Sequence, residues 1–314
     1  MSWFRACSSG CARTIRPMTR SAGFLRIGIA YTLAIAVGLV WLLWGPHVSM
    51  PWLDALIADV LATLVIFIFS RAHHNSSFYD AYWSVIPPLL VVWWWVDGDA
   101  GIGAVHCWLL TALVVAWSIR LTVNWAKGFP GLHHEDWRYP MLRDQAGRGE
   151  IVVDLTAIHL IPTLQVFLAL MPAYIAVRQP DTEAPWLTAV ALVVGVAALG
   201  LETVADRQLH AFVATASPGA VMDRGVWSWS RHPNYFGEFG FWLSLALFGV
   251  AAAPSDAWWM FVGAVVMLAM FLGASIPMME RRSLDRRPDY ARVIGRVSKF
   301  VPWPPRPTVQ TDPA

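Results

Sequence analysis

An all-α fold, a polytopic helical bundle embedded in a bilayer, is predicted by three features of the sequence. Charged residues make up only 14% of the chain and hydrophobic residues 57%, with a mean hydropathy of +0.49, whereas a soluble domain carries about 25% charged residues. Apolar runs long enough to cross hydrocarbon, about 20 residues each, recur about eight times. The basic residues between those runs collect in alternate connections, which is the charge signature of a protein that threads a membrane repeatedly.

The runs lie near 24–44, 52–70, 78–96, 102–119, 156–177, 186–205, 235–253 and 257–279. The first is too long for the apolar region of a signal peptide and no small-residue cleavage site follows it, so it is expected to be a retained helix. Met18 is an alternative start. Trp93, Trp94 and Trp95 close the third run, where indole rings favour the boundary between headgroups and acyl chains. Of the 23 Lys and Arg residues, all except Arg178 precede or open the first run, follow the eighth, or lie in the even-numbered connections between runs. The positive-inside rule then places both termini in the cytoplasm, and only an even number of spans preserves that alternation. The division expected along the chain is a basic cytoplasmic N-terminal tail (1–22), a four-helix membrane region (23–119), a cytoplasmic loop (120–155), a C-terminal membrane region (156–303) and a disordered tail (304–314). The expected location is the inner, cytoplasmic membrane of a bacterium, with the lipid bilayer itself as the principal partner.

Several function classes are excluded. The net charge of +2 is distributed by topology and not gathered on one soluble face, so nucleic acid is not an expected partner. Cys7, Cys11 and Cys107 are too few for a disulfide framework. The paired histidines His73-His74 and His133-His134 are neighbours that point apart on a helix, so no metal site is expected. No pair of matching Gly/Pro-interrupted helices marks a transporter.

The polar residues form four groups, all in connections expected on the inner side. The densest runs from Asp223 to Glu238 and contains Arg224, Arg231, His232, Asn234 and Tyr235. Pro233 suits the first turn of a helix, which would set Asn234 and Glu238 on one face at i, i+4. A carboxylate one turn inside an apolar helix needs a partner, and Glu238 is therefore a candidate site residue; an interfacial cap is the competing reading. Glu202, Asp206 and His210 are spaced to stack along one face at the end of the sixth helix, with Arg207 beside them. Glu135, Asp136, Trp137, Arg138 and Tyr139 follow Arg120 and Asn124, and Glu280, Arg281 and Arg282 follow the eighth run. Four such groups together predict a shared pocket on the inner face.

The run Arg224 to Glu238, with its Arg-His-Pro-Asn-Tyr-Phe-Gly-Glu core, resembles the C-terminal signature of the DUF1295 membrane proteins, relatives of the steroid 5-alpha-reductases. Glu135 to Tyr139 and the stretch from Met279-Glu280-Arg281-Arg282 to Phe300-Val301-Pro302-Trp303-Pro304 resemble it too, so the similarity covers roughly 70–305. Arg-His-Pro-x-Tyr is also similar to the isoprenylcysteine and phospholipid methyltransferases, which use S-adenosylmethionine. The resemblance implies NADPH bound without a Rossmann domain, and the chain has no Gly-x-Gly-x-x-Gly after a strand. By matching position, Asp206 corresponds to a family aspartate that contacts the cofactor, Asn234 to an asparagine opposite the nicotinamide amide, and Arg120 to an arginine of the cofactor cavity. Asn124, Asp136, Arg138, Glu202, Arg207, His210, Arg224, Arg231, His232, Glu280 and Arg281 are expected around the same cofactor. Arg120 and Arg231 are the expected forks for its phosphates. Glu202 stands where the family has an asparagine, and Trp117 where it has a catalytic tyrosine. No third-helix glutamate is present, and Asp80, beside Tyr79 and Tyr82, is the nearest substitute. The implied activity is NADPH-dependent reduction of a polarised carbon–carbon double bond in a hydrophobic small molecule, with Glu238, Tyr235, Asp80 and Tyr82 as candidate proton donors. An S-adenosylmethionine-dependent methyltransferase is the alternative, and a non-enzymatic membrane protein, for which polar groups in mid-membrane would speak, is the third.

Overall fold

The structure, a computed structural model, describes residues 19–307. The basic residues before Met18, Cys7, Cys11, the alternative start and the last residues of the tail lie outside that range. Among the described residues no strand forms, and the architecture is an all-α bundle. In order the helices are α1 (Arg20–Trp44), α2 (Pro51–Ala72), α3 (Tyr82–Asp97), α4 (Val105–Gly128), α5 (Arg138–Ala146), α6 (Glu150–Val153), α7 (Ile161–Arg178), α8 (Pro185–Thr215), α9 (Pro233–Ala252), α10 (Ala257–Met260), α11 (Val262–Met270), α12 (Ile276–Arg286) and α13 (Tyr290–Arg296). The α5–α7 and α10–α12 segments each run nearly continuously, through wider π turns at Asp154–Leu160 and Phe271–Ser275.

Among the described residues seven helical stretches are long and apolar enough to cross a membrane, and the chain is a multi-pass membrane protein. The eighth expected span is shorter than its apolar run. Helix α3 has 16 residues, about 24 Å at 1.5 Å per residue against a hydrocarbon core of about 30 Å. The physical reason is the preceding chain. Asn75 to Tyr79 and Ala81 are buried although they are not α-helical. The Asn75 side chain donates to the carbonyls of Leu132 and His134, at 2.9 and 3.0 Å, and accepts from the Ser77 N–H at 2.8 Å. Irregular backbone is tolerated at that depth when protein supplies the hydrogen bonds. Apolarity at 78–81 thus marks burial in protein, not the first turn of a span.

Because lipid tails and side chains are equally apolar, these helices associate through close packing of small residues. Helix α1 buries Gly23, Ile27, Ala30, Ala34 and Gly38 on one face and leaves Leu25, Ile29, Leu33 and Val37 outward. Helices α8 and α9 approach most closely at Gly237, where an added Cβ would overlap the Glu202 Cγ and stand 3.0 Å from the Ala198 carbonyl oxygen. That contact brings the polar end of α8 against the start of α9. Arg178, the one basic residue opposite the others, pairs with Asp97 at 2.7 Å and stacks on Tyr174.

Candidate functional site

Helices α4, α8 and α9 converge where their polar residues were expected, and α4 carries Arg120 beyond the apolar run that ends at residue 119. Arg120 donates Nη1 to Asp206 Oδ2 at 2.6 Å, pairs through Nη2 with Glu202, and has Glu238 Oε2 at 3.5 Å. Asn124 also donates to Asp206 Oδ2, at 2.7 Å. The i, i+4 spacing on α8 is what stacks Glu202 and Asp206 on this one guanidinium. Two buried atoms there lack partners, Arg120 Nε and Glu202 Oε1.

Glu238 is held differently from a proton donor. Trp117 Nε1 lies 3.1 Å from both of its carboxylate oxygens, and Trp242 Nε1 lies 2.9 Å from Oε1. Trp117 stacks flat on Phe241 at 4.7 Å. With N–H donors on both oxygens and Arg120 beside them, the carboxyl acts as a tie between α4 and α9.

The Arg-His-Pro segment divides its labour. Arg231 donates Nε to Glu280 Oε1 at 2.7 Å and Nη1 to the carbonyls of Ile294 and Val297, at 3.1 and 2.7 Å. His232 Nε2 also meets Glu280 Oε1, at 3.2 Å. Arg231 is therefore a clamp on α12 and α13 with most of its fork engaged, where the sequence led to the expectation of a phosphate ligand. Arg120, committed to carboxylates, is likewise unsuited to that task. Pro233 opens α9 as expected, and His232, not Asn234, occupies the cap position, without a side-chain cap bond. Among the described residues the Asn234 side chain makes no hydrogen bond, so its amide is free for a ligand. Tyr235 stacks between His232 at 5.7 Å and Phe271 at 4.7 Å.

The third polar group is assembled alongside. Asp136 is bound by Arg138 through Nε and the backbone N–H, at 2.8 and 2.9 Å. Burial alone would raise the Asp136 carboxyl, but these contacts hold it below its usual value. The Arg282 guanidinium lies 3.9 Å over the Trp137 ring. Tyr139 donates to Asp80 Oδ1 at 2.6 Å, and burial pushes the Asp80 carboxyl up to about 6 despite that bond. Arg207, His210, Arg224 and Arg281 are exposed and form no ion pair among the described residues.

A model of the family described as a protein of unknown function (DUF1295) matches residues 66–296. The chain belongs to this family. It is also 26% identical over 278 residues, 80% of each chain, to a protein of Schizosaccharomyces pombe described as uncharacterized. A yeast relative lends no support to the expectation of a bacterial inner membrane. No solved structure matches. In this DUF1295 protein the matched span starts within α2 and includes the whole Arg120–Glu202–Asp206–Glu238 cluster as well as Asn234.

Three buried acids, Asp54, Asp59 and Asp154, went unnoticed in the sequence. Asp59, midway along α2, is 6% exposed and forms no ion pair; the Tyr82 hydroxyl lies 3.4 Å from its Oδ1. It lines a cavity of about 280 Å³ between α1, α2 and α3, with Ile35, Gly38, Ala62, Ile86 and Trp93. An Asp in the middle of an apolar run is a signal in itself, because an ionisable group inside a span is costly without a purpose.

Proposed function

We propose that this protein is a membrane-embedded reductase that uses NADPH to saturate a polarised carbon–carbon double bond in a hydrophobic substrate. The observation that carries the reading is the free Asn234 amide at the start of α9, beside a cluster that retains the unpartnered Arg120 Nε and Glu202 Oε1. An amide offers one donor group and one acceptor, which matches a nicotinamide carboxamide. Carboxylates such as Asp206 accept from ribose hydroxyls, and the exposed Arg207, Arg224 and Arg281 suit phosphates. These groups fit the cofactor by chemical type. A bound NADPH supplies a hydride for an electron-poor carbon. The chain's own contribution is to orient the carboxamide, to exclude water with the Trp117–Phe241–Trp242 packing, and to hold a proton donor toward the substrate. With Glu238 engaged, the donors that remain are Asp80, Tyr235 and the Tyr82–Asp59 pair. The apolar cavity beside Asp59 supports a substrate that enters from the bilayer.

A second reading has an observation of its own. Three carboxyl groups around one guanidinium form an acidic site, which suits the sulfonium and ammonium of S-adenosylmethionine better than a phosphate-bearing cofactor. Equilibrium binding of NADPH, NADH and S-adenosylmethionine to the detergent-purified protein separates the two. Saturable NADPH binding, weakened about tenfold (roughly 1.4 kcal/mol) by Asn234→Asp, is expected. Saturable S-adenosylmethionine binding without dinucleotide binding would replace the reductase by the methyltransferase.

A further inference from the structure

Residues 298–303, which follow α13, form a loop that the site described above does not use. Three consecutive residues before α9 pin it at both ends and in the middle. The Arg231 N–H donates to the Ser298 carbonyl at 2.8 Å, the Ser230 hydroxyl to the Phe300 carbonyl at 2.7 Å, and the Trp303 N–H to the Trp229 carbonyl at 2.9 Å. Phe300 turns inward, against Phe236 at 5.5 Å and Phe239 at 6.2 Å. Those two residues lie within the first two turns of α9, roughly 5–9 Å along it at 1.5 Å per residue. The polar layer on each side of a bilayer is about 5–8 Å deep, so a loop packed there sits where headgroups meet acyl chains. With Phe300 inward, Val301 and Trp303 are 55% and 69% exposed, and Trp229, joined to Trp303 through the backbone, is 49% exposed. Such a group is costly in water and favoured at the membrane interface.

Basic residues flank these apolar ones. The Arg306 N–H donates to the Arg296 carbonyl at 3.0 Å, and Arg296 Nε lies 3.4 Å from the Arg306 carbonyl, so the two arginines are fastened to each other just past the loop. Lys299 is an exposed residue of the loop itself. None of the three forms an ion pair among the described residues: Glu280 is taken by Arg231 and His232, and Asp289 by Arg292.

We propose that this loop is a seat for one anionic phospholipid, with Arg296, Lys299 and Arg306 on its phosphate and Trp229, Val301 and Trp303 against its acyl chains. Guanidinium forks match the oxygens of a phosphodiester. A zwitterionic lipid carries the same phosphate but cancels its charge with its own cation, so three uncompensated basic residues favour a lipid of net negative charge. The backbone bonds of the loop run to Ser230 and Arg231, immediately before His232 and Asn234, and a lipid seated here steadies the start of α9. The inference is independent of the reaction proposed above.

The test titrates phosphatidylglycerol and phosphatidylcholine into the full chain in detergent and counts bound lipid by native mass spectrometry. Phosphatidylglycerol is expected to fill one site at least tenfold more tightly than phosphatidylcholine. A basic side chain at an anionic surface contributes roughly fivefold in affinity. Lys299→Gln combined with Arg306→Gln should therefore weaken phosphatidylglycerol about 25-fold and leave phosphatidylcholine unchanged. Both residues are exposed, and glutamine keeps the backbone bond of Arg306. Arg148→Gln, which removes an exposed inner-face arginine outside the loop, should shift neither lipid by more than about twofold. Trp303→Ala should weaken both lipids. Equal affinity for the two lipids in the wild type, undiminished phosphatidylglycerol affinity in the double variant, or an equal loss in Arg148→Gln would overturn the seat. So would wild-type affinity in Trp303→Ala, or displacement of the lipid by glycerol phosphate at matching concentration, since the acyl chains would then contribute nothing.

Discussion

Arg231→Ala distinguishes a clamp from a phosphate ligand at the most recognisable motif of the chain. The Arg231 side chain is 8% exposed and makes a charged hydrogen bond to Glu280 and two more to the Ile294 and Val297 carbonyls. Hydrogen bonds to charged groups are worth about 1.5–3 kcal/mol, and breaking a buried ion pair costs about 3–5 kcal/mol. Part of that loss is relieved because Glu280 keeps His232, and α13 stays tethered by Arg231 N to Ser298 O at 2.8 Å, Ser230 Oγ to Phe300 O at 2.7 Å and Trp303 N to Trp229 O at 2.9 Å. The hydrophobic support of α13 is small, limited to Tyr290, Val293 and Val297 against Val221 and Ile294. A local loosening of about 3–4 kcal/mol follows, which corresponds to roughly 10²- to 10³-fold faster amide exchange in α13, with the membrane helices little changed. Hydrogen exchange followed by mass spectrometry on purified protein reads this directly. Arg231→Lys keeps the charge without the fork and should fall between the two. Unchanged exchange in α13 together with a tenfold loss of NADPH affinity would refute the clamp and return Arg231 to the cofactor.

Gly237→Ala places a methyl group against Glu202 and the Ala198 carbonyl, so α8 and α9 must separate; a loss of about 1–3 kcal/mol is expected, read as a lower Tm with weaker cofactor binding. Asp80, raised by burial to about 6, has its stabilising form protonated, so its contribution is complete below about 3.8 and is lost as pH rises through about 6. Tm measured from pH 4 to 7 should therefore contain a falling component that Asp80→Asn removes, and an identical pH dependence in the variant would show that Asp80 does not titrate there. A reporter after Ala314 and one inserted near Gly147 should both lie in the cytoplasm while one near Pro254 lies outside; opposite sides for the first two would break the even-span topology.

What could be read from the sequence was what depends on short-range periodicity. The apolar runs located the starts of most long helices within a few residues but stopped nine and ten residues short of the polar ends of α4 and α8, and the i, i+4 spacing of Glu202 and Asp206 and the position of Pro233 placed both residues of the α8 pair and the start of α9. Partners separated by many residues were not legible. Arg231 and Glu280 meet because α12 folds back under the start of α9, and nothing local in either segment announces it. Tyr82 and Asp59 are 23 residues apart on successive helices. The third span was misjudged at its start because the criterion was hydropathy, and a segment buried against protein is as apolar as one facing lipid. The same criterion hid the polar face of α2: averaged over a span, Asp59, Thr63 and Ser70 vanish among Leu, Ile, Phe and Ala.

The distribution of committed and uncommitted polar groups also orders the candidates for chemistry. A side chain with its hydrogen-bonding capacity used inside the protein stabilises the site but has little to offer a ligand, and by that measure Arg231, Glu238 and most of Arg120 are scaffold. Asp59, held by a single long contact, is a group whose burial is not yet repaid by the fold, and the half-exposed Asn234 amide has no protein partner among the described residues. An unsatisfied polar group in such surroundings costs about 1–3 kcal/mol. A ligand that satisfies it recovers that amount as binding or as transition-state stabilisation. Trp83 and Trp117 pack with their rings 5.7 Å apart: Trp117 holds Glu238, and Trp83 borders the small space shared by Asp59 and Tyr82. A lipid bound at Asp59 would therefore rest on Trp83, so Trp83→Ala should raise the KM for lipid while leaving NADPH affinity within about twofold.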